Sequence, residues 1–259
     1  MQKHSLVYHL FLLEGMNEMI AAFENYIKNF DLTIPIIKMK YDHTLRVATR
    51  ASELALELNL SKDDVELAYL IGFVHDIGRF EQIATFNTLI DAKSFDHGDY
   101  GVEVLFGQNL IRKFTKNSDD DEIIKKAVRN HNKFRIEDGL SNREILFCKM
   151  IRDADKIDVY EVILKNEFPV DWNGQFTEKI IEDFRMKKQI TNSDRKTRSD
   201  EMIAFLSWVY DIHFDWTLKY IETHYLEDLK EKAKNNTTEE YVLLFEKYIK
   251  EKIKNGNKI

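Results

Sequence analysis

The chain has 259 residues, 44% hydrophobic and 32% charged, an ordinary globular balance that can bury one large core or two modest ones. Nine glycines and two prolines are too few for a turn-rich sheet protein, which favours long helices. A net charge of −7 argues against a general nucleic-acid binder, because neutralising phosphates needs a basic face.

The single cysteine, Cys148, excludes an intramolecular disulfide and reads as a small core residue; nothing points to secretion. The apolar patch Leu10–Leu13 stops at Glu14, too short to cross a membrane and without a small-residue cleavage site. These features place the chain in the cytoplasm, with no membrane partner.

Residues 5–30 carry apolar side chains at helical spacing (Leu6, Leu10, Met16, Met19, Ile20, Phe23, Ile27, Phe30) and predict a first amphipathic helix. His4 and His9 on it read as surface or packing residues. Pro35 can open a second helix running to about Leu58, with His43 near its apolar face. Ser61-Lys62-Asp63-Asp64 is a helix start, with a capping serine followed by acids at the positive helix end. That third helix is expected to break at Gly78, and residues 79–95 read as irregular. Asp96-His97-Gly98 opens the next helix. The acidic run Asn117–Asp121 starts another, which ends at His131.

A helix from about Asn142 carries Asp153, Asp155 and Asp158 among apolar residues. A solvated face accounts for Asp158 and can accommodate Asp153, whereas Asp155 falls where Ile151 and Val159 argue for burial. Further helices are expected at 175–190, 200–227 and 238–254, the last through a threonine cap. The run Thr191–Ser199, with no apolar residue, reads as a solvated linker or a mobile loop able to reach a phosphate. The aromatic series Phe205, Trp208, Val209, Ile212, Trp216 and Tyr220 has core spacing.

The stretch with most chemistry is Leu67–Phe80, where His75 and Asp76 stand side by side in a segment apolar enough to be core. Burying them without partners costs several kcal/mol. They are either a hydrogen-bonded core couple or ligands of a divalent metal, for which imidazole nitrogen and carboxylate oxygen are common donors. Neighbouring helical residues diverge by about 100°, so these two can flank one ion but not enclose it.

In chain order the set is His43, His75-Asp76, His97, His131 and Asp155. It resembles the HD-domain superfamily of metal-dependent phosphohydrolases over residues 35–160. The most specific pieces are His75-Asp76-Ile77-Gly78-Arg79 and Ile151-Arg152-Asp153-Ala154-Asp155-Lys156-Ile157-Asp158. The resemblance implies a single all-α domain, an HD helical bundle over 35–160 with a helical C-terminal extension over 161–259. It implies that His43, His75, Asp76 and Asp155 hold a first metal. Asp155 is preferred to Asp153 because the last ligand of the family usually follows a small residue and precedes a basic one.

His97 and His131 then fit a second metal bridged by Asp76, or contact substrate around a single ion. The implied cofactors are divalent ions, two in the bridged reading. Mn, Fe, Co or Ni suit the mixed shell, and Mg or Zn are also compatible. Two ions about 3.5–4 Å apart lower the pKa of a bridging water and steady charge on a phosphoryl group. Arg79 at the end of the metal helix, with a fork suited to two oxygens, and Lys133 beyond His131 are the phosphate-contact candidates. Arg79 leaves no carboxylate base at its position, so metal-bound hydroxide is the expected nucleophile, with Asp76 and Arg79 the catalytic candidates.

The implied partner is a small phosphorylated substrate, by default a nucleotide. The Gly-Tyr-Pro element of cyclic-di-GMP phosphodiesterases is missing after His131, and no alarmone synthetase domain accompanies the site. Two other readings share the ligand set: a di-iron oxygenase of the same fold, such as myo-inositol oxygenase, and a non-catalytic ligand-binding module.

Overall fold

Local signals in the sequence place most helix starts. The computed structural model describes the backbone of residues 2–256 and the side chains of residues 15–256. The side chains of His4, His9 and the Leu10–Leu13 patch lie outside that range. Helix α1 spans Gln2–Ile27 and buries Met19, Phe23 and Ile27. α2 (Pro35–Glu57) begins on its proline, and α3 (Lys62–Val74) begins on Ser61, whose side chain accepts from the Asp64 amide. α4 is Ile77–Phe86 and α5 is His97–Val102, capped by Asp96 through the amides of Gly98 and Asp99. α6 (Ile111–Phe114), α7 (Asp121–Asn130) and α8 (Asn142–Leu164) follow. Then come α9 (Glu178–Arg185), α10 (Arg198–Ser207), α11 (Asp215–His224), α12 (Leu226–Ala233) and α13 (Glu239–Asn255). The protein is all-α, with no strand among the described residues. No described helix is long and apolar enough to cross a membrane.

The chain divides into two compact units, residues 1–154 and 155–259, the division falling within α8. In the first unit Phe23 is fully buried. Its ring lies 5.8 Å from that of Tyr41, 5.4 Å from Phe73 and 5.9 Å from Phe80. One α1 side chain thus gathers α2, α3 and α4. Gly72 sets how closely α3 approaches α2: a Cβ there would lie 2.4 Å from the Ala48 Cα.

Two expectations for this unit are corrected. The third helix breaks at His75-Asp76, not at Gly78, and the stretch read as irregular begins with the ordered helix α4. Gly78 sits inside α4, where a Cβ would lie 2.5 Å from the His97 carbonyl oxygen. Its lack of a side chain serves helix packing rather than a left-handed turn.

The second unit has its own core, in which Ile157, Tyr160, Phe184, Leu206, Ile221 and Phe245 are buried. The expected helix over 200–227 is three helices, interrupted by a 3-10 turn at Trp208–Asp211. The aromatic series therefore reaches the core from α10, this turn and α11, with Phe205 and Val209 buried and Trp208, Ile212, Trp216 and Tyr220 packed beside them. Thr238 does not cap α13 with its hydroxyl, which donates instead to the Trp172 carbonyl at 2.8 Å.

The polar run 191–199 is tied back by the buried Asp200. That carboxylate accepts from the Thr177 amide at 2.8 Å and hydroxyl at 2.7 Å, and from the amides of Lys196 at 2.9 Å and Thr197 at 3.0 Å. Burial opposes its ionisation, but the Thr177, Lys196 and Thr197 donors outweigh burial and hold its pKa below the usual carboxylate range. A depressed folded-state pKa gives stability that is present above the unfolded value, near pH 4, and lost as pH falls through the folded one. Asp200→Ala should therefore destabilise the chain by about 2–4 kcal/mol at pH 7. Denaturant melts should show this deficit shrinking below about pH 4; a deficit unchanged at acid pH would mean the carboxylate charge is not what anchors the run.

Candidate metal centre

The helix break between α3 and α4 builds the centre. His75 closes α3 with helical dihedrals, and Asp76 leaves them, at φ −104° and ψ 16°, so the two side chains converge instead of diverging. His97 opens α5 and His131 closes α7, as their sequence positions suggested. All five residues, with His43 of α2, are buried.

The carboxylate of Asp76 faces two pairs of imidazoles, one pair on each oxygen. Oδ2 lies 3.5 Å from His43 Nε2 and 3.6 Å from His75 Nε2. Oδ1 lies 3.4 Å from both His97 Nε2 and His131 Nε2. Within each group of three the ligand atoms are all within 4.8 Å of one another. Inside the pairs, Nε2 of His43 and His75 are 3.3 Å apart, and those of His97 and His131 are 3.0 Å apart.

Second contacts fix the rings. His75 Nδ1–H donates to the Gly72 carbonyl at 2.7 Å and His131 Nδ1–H to the Val128 carbonyl at 2.6 Å. His97 Nδ1–H donates to Asp91 Oδ2 at 2.7 Å. A ring that donates from Nδ1 while neutral presents a lone pair at Nε2. Between His97 and His131 the facing lone pairs, 3.0 Å apart in a buried site, repel unless a cation or proton lies between them. The donor set of Nε2 atoms around an anionic carboxylate therefore fits a divalent metal.

The electrostatics agree. Burial works against the Asp76 charge, but the Lys40 ammonium at 2.7 Å leads the groups that outweigh it and hold the carboxyl well below the usual range. Burial and the nearby Arg79 guanidinium push His97 down to about 4, so its ring is neutral at pH 7.

Residues 41–165 match the HD-domain family. The family consists mostly of metal-dependent phosphohydrolases. No curated protein and no solved structure matches the chain.

The matched segment brings together His43, His75, Asp76, His97 and His131. Arg79 stands beside them, its Nε 3.8 Å from Asp76 Oδ1. Lys133 is held between Asp96 and Asp99, at 2.7 Å from each. Asp155 lies on α8 in the second unit and is half-buried rather than buried. Its neighbours correct the reading of a solvated face: Asp153 and Asp158 are the buried acids of that run, at 0% and 1% exposure.

Several residues of the centre were not singled out from the sequence. Lys40 sits three positions before His43, one helical turn away on the same face, a spacing that could have marked it. Asp91, in the run read as irregular, accepts from His97, from Arg79 Nη1 at 2.8 Å and from Gln82 Nε2 at 3.0 Å. Arg152 is 2% exposed and donates to the carbonyls of Asn130 at 2.9 Å and Lys133 at 2.5 Å. It satisfies the open carbonyl end of α7 on which His131 sits.

A carboxylate shared by two imidazole pairs gives a specific expectation. Asp76→Ala should abolish tight Mn²⁺ or Co²⁺ binding altogether, whereas His43→Ala should leave binding at the His97/His131 pair. Equilibrium dialysis with elemental analysis reads both; metal retained at the wild-type level in Asp76→Ala would show that the carboxylate is not a shared ligand.

Proposed function

We propose that this protein is a metal-dependent phosphohydrolase that cleaves a phosphate ester or anhydride, with a small nucleotide as substrate class. The observation that carries this reading is the position of Arg79 against the shared carboxylate. Its Nη1 is engaged by Asp91, Gln82 and the Leu89 carbonyl, which fixes the guanidinium plane. Its Nε, on the side of Asp76, is buried without a hydrogen-bond partner. A buried unsatisfied donor costs about 1–3 kcal/mol, which an incoming phosphoryl oxygen would recover. An arginine held in one plane with a free donor edge beside a carboxylate–imidazole cluster suits an anionic, planar-edged group more than a neutral polyol.

In this reading Asp76 would be a ligand shared by two divalent ions, with His43 and His75 holding one, His97 and His131 the other, and Asp155 the remaining ligand by family resemblance. Mn, Fe, Co or Ni are the metals favoured by the mixed nitrogen and oxygen shell. Bound ions would supply Lewis acidity and an activated water. The residues themselves orient and neutralise: Arg79 offers its Nε edge to the transferred phosphoryl group, and Lys40 offsets charge at Asp76 Oδ2. Lys133 would contact phosphate only by exchanging its ion pairs with Asp96 and Asp99, which makes it a peripheral contact.

Two measurements test the reading. Arg79→Ala should lower turnover of a nucleotide or model phosphate ester by about 10²–10³-fold while leaving metal content near wild type. Phosphate release by the Mn²⁺ form should persist without oxygen. If a broad ester panel gives nothing with any divalent metal while the iron form consumes O₂ with a polyol or phosphonate, the chain is an oxygenase instead.

The assignment of the last ligand has its own test. Asp155→Ala should strip metal and cancel the metal-dependent rise in melting temperature. Asp153→Asn, at a fully buried position, should lower the melting temperature equally with and without metal. Loss of metal from folded Asp153→Asn protein alone would move the ligand to Asp153.

A further inference from the structure

Asp91 touches both a candidate metal ligand and the candidate phosphate contact. Oδ2 accepts from His97 Nδ1 at 2.7 Å, and Oδ1 accepts from Arg79 Nη1 at 2.8 Å and Gln82 Nε2 at 3.0 Å. Asn132, next to His131, adds a longer contact from Nδ2 to Oδ2 at 3.3 Å. Gln82 holds the loop as well, donating to Ser94 Oγ at 2.7 Å and to the Phe95 carbonyl at 3.1 Å. Asp91 lies in a short 3-10 turn, and this ring of donors fixes its side chain between α4 and α5.

The backing of His97 differs in kind from that of two other rings in the cluster. His75 and His131 donate to main-chain carbonyls, and His97 donates to a carboxylate. A carboxylate behind an imidazole fixes its tautomer and makes the opposite nitrogen a stronger metal donor; removing such a partner typically weakens metal binding about 10–100-fold. The same oxygens orient Arg79, whose Nε then faces Asp76.

We propose that Asp91 is a shared positioning residue. It sets His97 as the stronger metal donor and at the same time presents Arg79 to the phosphoryl group, so metal binding and phosphate binding at this centre depend on one side chain. The Arg79 half rests on the phosphohydrolase reading; the His97 half stands without it. Asp91 touches no reacting atom in this scheme and acts through its two neighbours.

The test uses the full chain, Mn²⁺ or Co²⁺ alone, and inorganic phosphate as the probe. Asp91→Asn keeps the shape and removes the charge. It should weaken binding of one class of metal about 10–100-fold and leave the His43/His75 class near wild type. It should also change the visible Co²⁺ spectrum, which reports ligand orientation and not mere folding. At saturating Mn²⁺, phosphate should bind the variant more weakly than the wild type, and adding Arg79→Ala should give little further loss. Melting of the metal-free proteins controls for folding, and Asp91→Ser provides a second variant should the first not fold.

A metal isotherm and Co²⁺ spectrum unchanged by the substitution overturn the proposal. Equal phosphate affinity in variant and wild type at saturating metal, including no measurable affinity in either, overturns the shared role. Weaker metal and phosphate binding in a protein whose wild type hydrolyses no ester would instead sink the phosphohydrolase reading and leave the His97 half of this inference standing.

Discussion

A carboxylate that ends a helix deep in the first unit, with two imidazoles on each of its oxygens, is the constraint on which the rest of the centre depends. Asp76 is 2% exposed, and its charge has to be compensated where water cannot do so. Lys40 supplies one compensation directly. The imidazole lone pairs supply none unless something cationic joins them, and that is the physical content of the metal assignment. The geometry requires α3 to stop at Val74, since a continued helix would turn Asp76 about 100° from His75.

Everything around this point supports that carboxylate. Gly72 lets α3 lie against Ala48 of α2, bringing His75 beside His43. Gly78 lets α4 lie against α5, bringing Asp76 toward His97. Arg152 occupies the carbonyl end of α7 and holds the turn that carries His131. The aromatic contacts of Phe23 gather the helices that carry the first ligands. Each backbone approach is close enough that a single methyl group would interfere, which is how weakly directional apolar packing achieves placement on the scale a metal shell needs.

The second unit is organised differently. Its core is aromatic and aliphatic, and a buried carboxylate, Asp200, anchors a loop and completes a helix capping box. No group of histidine and acidic residues there forms a metal-type cluster among the described residues. Arg195, Lys196 and Arg198 of the 191–199 run are thus carried by a segment fixed at its C-terminal end by hydrogen bonds to Asp200, not by a free tether.

The sequence by itself determined the helical class, most helix starts, and the identity of His43, His75, Asp76, His97 and His131. Proline and capping residues act through bonds only a few positions long, and metal donors are few enough in kind that their order along the chain is informative. Tertiary structure alone decided where the third helix breaks, because a glycine at the expected break is used for packing and the dihedral change falls on Asp76 instead. It also decided that Asp153 and Asp158 are buried, which helical periodicity cannot settle when α8 is packed on more than one side. Lys40, Asp91 and Arg152 escaped the sequence for the same reason. Their functions lie in contacts 36, 6 and 22 positions away, with Asp76, His97 and Asn130, and side-chain type at one position carries no record of which distant group the fold will set against it.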